Sequence, residues 1–218
     1  NVARLAGDPE YVPVGFASPS GIGMPATGIH ALVAGDAFHF GTPRQVVGGV
    51  AIGVILFGQA GYAMPPGSVE NATSFNYPVL YTAIDAASVE SVVSPELNPT
   101  VLSQLIQAGK YLQRQGCRAI IGACGFFGNY LPEVVSELDT PCFFSSLMQV
   151  PLILRSLKPG QKVGVLTANG EVLGGAPVLK NCGIEDPSQV IISGAEVLPE
   201  MQKILAGEGH YNVYQLER

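Results

Sequence analysis

The chain is predicted to be an α/β protein, a parallel sheet flanked by helices, and three observations predict it. The run Ile52-Gly-Val-Ile-Leu-Phe57 is apolar throughout, as a parallel strand covered on both faces requires. Asn98-Pro99 supplies an N-cap and a first-turn proline for a helix. Its apolar positions Val101, Leu105, Ile106 and Leu112 recur at helical spacing, and Gly116 closes it. From there, apolar strands and helical segments alternate to the end of the chain.

Residues 1–45 lack clean periodicity and are rich in Gly, Pro and Ala, so a loop-rich leader is expected there. Gly21-x-Gly23-x-x-Ala26 imitates a dinucleotide fingerprint, but no strand precedes it and Pro25 interrupts it. After the first strand a long loop runs through Pro65-Pro66-Gly67 to Pro78. Beyond the helix at Asn98, a strand over 119–123 ends at Cys124. A helix over 131–138, a strand over 141–146 and a helix over 147–157 follow, closed by Lys158-Pro-Gly160. A strand over 162–167, a helix over 170–181 and a strand over 189–193 come next, and the tail 197–218 is helical at both ends. The string at 52–58 is echoed at 163–169, an offset of 111 residues, as the first strands of two similar halves would be. The expected division is a leader (1–45), a first α/β domain (46–158) and the start of a second (159–218), cut short at Arg218.

Composition narrows the function. Of 218 residues, 47% are hydrophobic and 13% charged, which describes a compact chain with buried strands. A net charge of −6, with no basic run or stacking aromatic series, argues against nucleic acid and for a small-molecule partner. No membrane association is expected, because the apolar run 46–57 is too short to span and holds three glycines. Four cysteines without a C-x-x-C pair point to reduced thiols, a cytoplasmic setting and no metal site. The chain does not begin with methionine, so a processed or partial protein is expected.

Cys124 stands out because ligands in open α/β sheets bind at the carboxyl ends of strands. There, a glycine-rich turn of unpaired N–H groups is expected to stabilise its thiolate. Cys117 and Cys142 enter strands instead, and a rise of about 3.3 Å per residue sets Cys117 roughly 20 Å from Cys124. Cys182, near a helix end before Gly183, is expected at the wrong edge as well. His30, His39 and His210 lie in the leader and tail, and with no G-x-S-x-G elbow a hydrolase triad is poorly supported. Gln59, Ser145, Ser146, Thr167 and Asn169 each follow an apolar strand. They serve either as donors to a bound carboxylate or as ordinary helix caps.

Several segments taken together carry a family resemblance: Pro66-Gly-Ser-Val-Glu-Asn71-Ala-Thr73, Tyr77-Pro-Val-Leu-Tyr81, Gly122-Ala-Cys124-Gly-Phe126, Phe144-Ser-Ser-Leu-Met-Gln-Val-Pro151 and Lys162-Val-Gly-Val-Leu-Thr-Ala168. In their order and spacing the chain from about Val50 resembles the aspartate/glutamate/hydantoin racemase superfamily, in its aspartate/glutamate racemase-like branch. The resemblance implies two pseudo-symmetric α/β domains with an active site between them, and a reaction that needs neither pyridoxal phosphate nor metal. One thiolate takes an α-proton and a second thiol returns it from the opposite face. Cys124 matches the first family cysteine, although Gly125-Phe126 stands where many members have Asn-Thr. The second cysteine would come after Arg218.

The function expected is therefore a cofactor-independent racemase or epimerase of a small amino acid or related carboxylate. Cys124 is its acid/base, with Asn71, Gly125, Ser145, Ser146, Thr167 and Asn169 binding substrate. Two alternatives stand beside it. One is a single-cysteine decarboxylase or isomerase of a diacid, like relatives resembling arylmalonate decarboxylase. The other is a non-catalytic binder on the same scaffold, which predicts an unreactive thiol. A homodimer is left open.

Overall fold

The computed structural model describes residues 50–58, 64–208, 212 and 215, all within the compact unit Val50–Arg218. The expected leader, its glycine motif, the three histidines and Gln59 lie outside the described residues. Among the described residues six parallel strands form two sheets: β1 (Ile52–Phe57), β2 (Val79–Ile84), β3 (Ala119–Gly122) and β4 (Cys142–Phe143) in the order β2-β1-β3-β4, and β5 (Val163–Thr167) with β6 (Val190–Gly194). Ile52 opposes both Val79 and Ala119, so β1 is the central strand, and Val54 and Ile55 are fully buried there. The two echoed strings are β1 and β5, in separate sheets.

Helices α1 (Val89–Val92) and α2 (Pro99–Arg114) precede β3. Asn98 caps α2 as expected, its Oδ1 accepting from the Thr100 and Val101 amides at 2.9 and 3.3 Å. Val101, Leu105 and Leu112 are completely buried by one face of this helix. Its close seat on the sheet depends on Gly53, where a Cβ would lie 2.8 Å from Leu112 Cδ1. Gly116, with φ of +84°, turns the chain into β3 through the left-handed region that glycine tolerates.

Five elements differ from expectation. The strand β2 lies at the sheet edge and is only partly buried, so it lacks the continuous apolar run that marks β1. The expected strand over 141–146 keeps only two ladder residues, because Ser145 already caps the next turn. The helices expected over 131–138 and 147–157 shrink to α3 (Leu131–Val135) and α4 (Val150–Leu154), with a 3₁₀ turn at Ser146–Gln149 before α4. The helix over 170–181 divides into α5 (Gly170–Gly175) and α6 (Val178–Asn181). Ala176 is extended there (φ −88°, ψ 152°), the conformation forced on a residue before proline. A last helix, α7, covers Pro199–Leu205.

The β5–β6 pair packs Val163, Val165 and Ile192 against the core and turns Leu166 and Ile191 outward. No helix among the described residues is long and apolar enough to cross a membrane.

Candidate active site

Cys124 closes the central strands at their carboxyl edge. Ala123 donates its amide to Ile55 O at 2.9 Å, and Cys124, still extended, begins the 3₁₀ turn Gly125–Tyr130. That turn is fastened to the core by Phe127, whose ring centroid lies 5.3 Å from Phe57 and 6.2 Å from Phe144. Gly122 makes the fit possible, since a Cβ there would stand 2.8 Å from Phe127 Cδ2. The turn leaves Cys124 partly exposed at the wall of a cavity of about 270 Å³, which also takes in Gly125, Ser145, Ser146 and Thr167. A broader apolar cavity of about 570 Å³ shares Gly125, Ser145 and Ser146 and extends to Val69, Phe143 and Leu152.

The thiol chemistry departs from expectation. Burial pushes the Cys124 thiol up to about 12, although the amides of Phe126 and Phe127 pull it down and the Glu70 charge raises it further. The turn amides therefore act as expected, and desolvation outweighs them. At neutral pH the resting group is a thiol. Burial likewise raises Cys117, Cys142 and Cys182 to about 11, and all three are buried.

Of the expected ligand donors, five residues divide by geometry. Ser145 is buried, its Oγ accepting from the Leu147 amide at 3.3 Å. Ser146 and Thr167 reach the cavity from the two different sheets' strand ends. Asn71 and Asn169 are not among the residues lining either cavity. Asn71 gives Nδ2 to Met64 O at 2.8 Å and accepts from Thr73, and Asn169 caps α5 through the Val172 amide at 2.9 Å. Asn169 thus has the capping role that sequence reasoning set beside ligand binding, and Asn71 caps the 3₁₀ turn Ala72–Ser74.

Cys182 is not at the far edge. Its sulfur lies beside Ser145: a Cβ on Gly128 would stand 3.3 Å from that sulfur and 3.1 Å from Ser145 Cβ, and the Ser145 hydroxyl partly offsets the effect of burial on the thiol. The break at Pro177 swings α6 onto the Cys124 turn, where Asn181 Nδ2 donates to the Gly128 and Asn129 carbonyls at 3.1 and 2.9 Å. Cys182 thus stands behind Ser145 rather than in the cavity. Sequence reasoning also passed over Glu70, whose neighbour Val69 lines the larger cavity. Among the described residues no group of three or more His, Cys, Asp or Glu is placed to hold a metal ion.

No protein-family model matches the chain. Its sequence is similar to curated dimethylsulfoniopropionate lyases. It is 32% identical over 152 residues to dimethylsulfoniopropionate lyase 3 of Emiliania huxleyi (strain CCMP1516), covering 67% of this chain and 40% of that protein. Lyase 6 of the same strain is 33% identical over 152 residues, with the same coverage. The dimethylsulfoniopropionate lyase of Durusdinium sp. clade D is 27% identical over 147 residues, covering 66% and 49%. The chain thus spans less than half the length of these relatives. Among solved structures, a glutamate racemase from Campylobacter jejuni subsp. jejuni aligns with a TM-score of 0.46 at 16% identity, covering 76% of this chain and 64% of that one. An aspartate racemase homologue from Pyrococcus horikoshii OT3 aligns with a TM-score of 0.42 at 18% identity, covering 71% and 69%.

Proposed function

We propose that the chain carries the proton-abstracting site of a cofactor-independent enzyme acting beside a carboxylate, and that its reaction is elimination from dimethylsulfoniopropionate. The observation that carries this is the place of Cys124, partly exposed in a cavity at the strand ends, in a chain similar to lyases of that substrate.

The substrate's carboxylate is held by neutral donors, the Gly125 amide with the Ser146 and Thr167 hydroxyls, because no Lys, Arg or His lines either cavity among the described residues. The Cys124 thiolate takes the α-proton. The C–H electron pair becomes the Cα–Cβ double bond, and the Cβ–sulfur pair leaves with the sulfonium, which departs as neutral dimethyl sulfide. Acrylate remains, and the thiol returns its proton to water. A positive sulfonium beside the sulfur favours ionisation of a thiol that is otherwise neutral, so the raised resting value is compatible with a base that works only when occupied.

Racemisation shares the first step and differs in the second, since a proton must come back from the opposite face. Elimination needs no second acid, and Cys182 is shut behind Ser145. The reading is tested by incubating the full-length protein with dimethylsulfoniopropionate in deuterium oxide. Release of dimethyl sulfide, lost in Cys124→Ser, supports it. Deuterium entering the α-position of amino acids without sulfide release means racemisation instead, and neither product means a non-catalytic binder.

A further inference from the structure

We infer that Asn181 is a positioning residue for Cys124: from the end of α6 it clasps the backbone of the turn that begins at the thiol. The inference rests on the proposed reading of Cys124 as the base, and it names a residue far along the chain that keeps that base in place.

The 3₁₀ turn Gly125–Tyr130 starts at Cys124 with no side-chain cap, so its place depends on what grips it further along. The Phe127 ring packs on Phe57, at the end of β1, and on Phe144. Asn129 Nδ2 donates to Ser94 O at 3.1 Å. Asn181 Nδ2 donates to the Gly128 and Asn129 carbonyls at 3.1 and 2.9 Å, from 53 and 52 residues away in sequence. The backbone that presents Asn181 is itself fixed. α6 closes there, with the Cys182 amide on Val178 O at 2.9 Å, the Ile184 amide on Leu179 O at 3.0 Å, and Gly183 at φ +81°. Gly128 lets this helix come close, since a Cβ on it would stand 2.6 Å from Val178 Cγ2.

The cavity at Cys124 takes Gly125 and Ser146 from the strand ends of the first sheet, and Thr167 and Leu173 from β5 and α5. α6 follows α5 directly, so the clasp ties the turn bearing the thiol to the part of the chain bearing Thr167. Asn181 is uncharged and lines neither cavity, and it acts on Cys124 through the turn. A misplacement of about 1 Å at a reacting group costs on the order of a hundredfold in rate. Release of the clasp also loosens the turn around a sulfur that burial keeps protonated, and water reaching it eases ionisation. Each tenfold gain in thiolate, tempered by a Brønsted slope of about 0.4–0.5, speeds disulfide exchange about three- to fourfold.

The test uses the full-length protein and three variants. Asn181→Ala removes the donor, Asn181→Leu removes it but keeps the bulk, and Asn181→Gln keeps it on a longer arm. Labelling by an aromatic disulfide reagent at pH 8 is followed peptide by peptide, and dimethyl sulfide release is measured alongside. In the alanine and leucine variants Cys124 is expected to label at least about threefold faster than in wild type, with buried Cys117 and Cys142 unchanged. Their kcat is expected to fall at least about tenfold, with Asn181→Gln lying between them and wild type on both measures. A merely structural loss speeds all three cysteines together, and that outcome overturns the positioning role. An unchanged Cys124 rate in both variants overturns it too. Labelling needs no turnover, so its result is separate from the reaction. Faster Cys124 labelling with no sulfide from wild type sinks the elimination and keeps the clasp. Sulfide release with labelling untouched in either variant does the reverse.

Discussion

The titration of Cys124 gives the sharpest check on the site. Raising the pH perturbs it directly, and an aromatic disulfide reagent reads the thiolate. A free cysteine with a pKa of about 8.5 is roughly one-quarter ionised at pH 8. With the thiol pushed up to about 12, the Cys124 thiolate fraction at pH 8 is about one in ten thousand. Ionisation alone slows exchange by roughly two thousandfold. The more basic thiolate is a better nucleophile, and a Brønsted slope of about 0.4–0.5 returns some thirty- to fiftyfold. The net expectation is labelling slower than free cysteine by somewhat less than about a hundredfold at pH 8. The rate should then climb tenfold per pH unit through pH 10. Digestion and mass analysis resolve the Cys124 peptide from the three buried cysteines, which serve as internal controls. A rate that levels off at or below pH 9 refutes the conclusion that burial outweighs the Phe126 and Phe127 amides. In the enzyme assay the same group predicts kcat/KM still rising above pH 9, because that quantity reports the free enzyme.

Three further outcomes follow from the packing. Cys117, Cys142 and Cys182 ionise near 11 in the fold and near 8.5–9 when unfolded, so their stabilisation is complete below about pH 8.5 and lost as pH rises towards 11, by about 3 kcal/mol each. Urea midpoints should therefore fall between pH 9 and 10.5, and a flat profile contradicts the assignment. Gly128→Ala would set a methyl 2.6 Å from Val178 Cγ2 and 3.1 Å from Ser145 Cβ, with an expected cost of about 1–3 kcal/mol. A thermal melt should show that loss, with turnover falling further as Ser145 moves. Asn98→Ala removes the acceptor for two amides at the start of α2 and is expected to cost about 1 kcal/mol in denaturant unfolding, whereas Asn98→Asp should retain most of it.

The elements that could be read from sequence were those whose signals are local. β1 announces itself by an unbroken apolar run, and α2 by Asn98, Pro99 and Gly116 at its ends. The position of Cys124 at a strand end is legible for the same reason, because the run before it and the glycine after it are neighbours in the chain. What was not legible depends on residues brought together from a distance. β2 is an edge strand, its register fixed by β1 rather than by its own pattern. Cys182 meets Ser145 only because Ala176-Pro177 breaks a helix whose two halves look continuous in hydrophobic spacing. The thiol's high pKa reflects the protein atoms around it, which no local motif encodes.

Phe127 has one more consequence. Its ring is gripped by Phe57 and Phe144, while its own amide donates to the Cys124 carbonyl at 3.0 Å and lies near enough to the sulfur to pull the thiol's pKa down. The aromatic interior and the reactive atom thus share a single residue's backbone. Trimming Phe57 or Phe144, neither of which donates a proton to anything, should retune the sulfur's acidity by letting that amide drift. Selection for a tightly filled interior is, at this position, also selection on the chemistry.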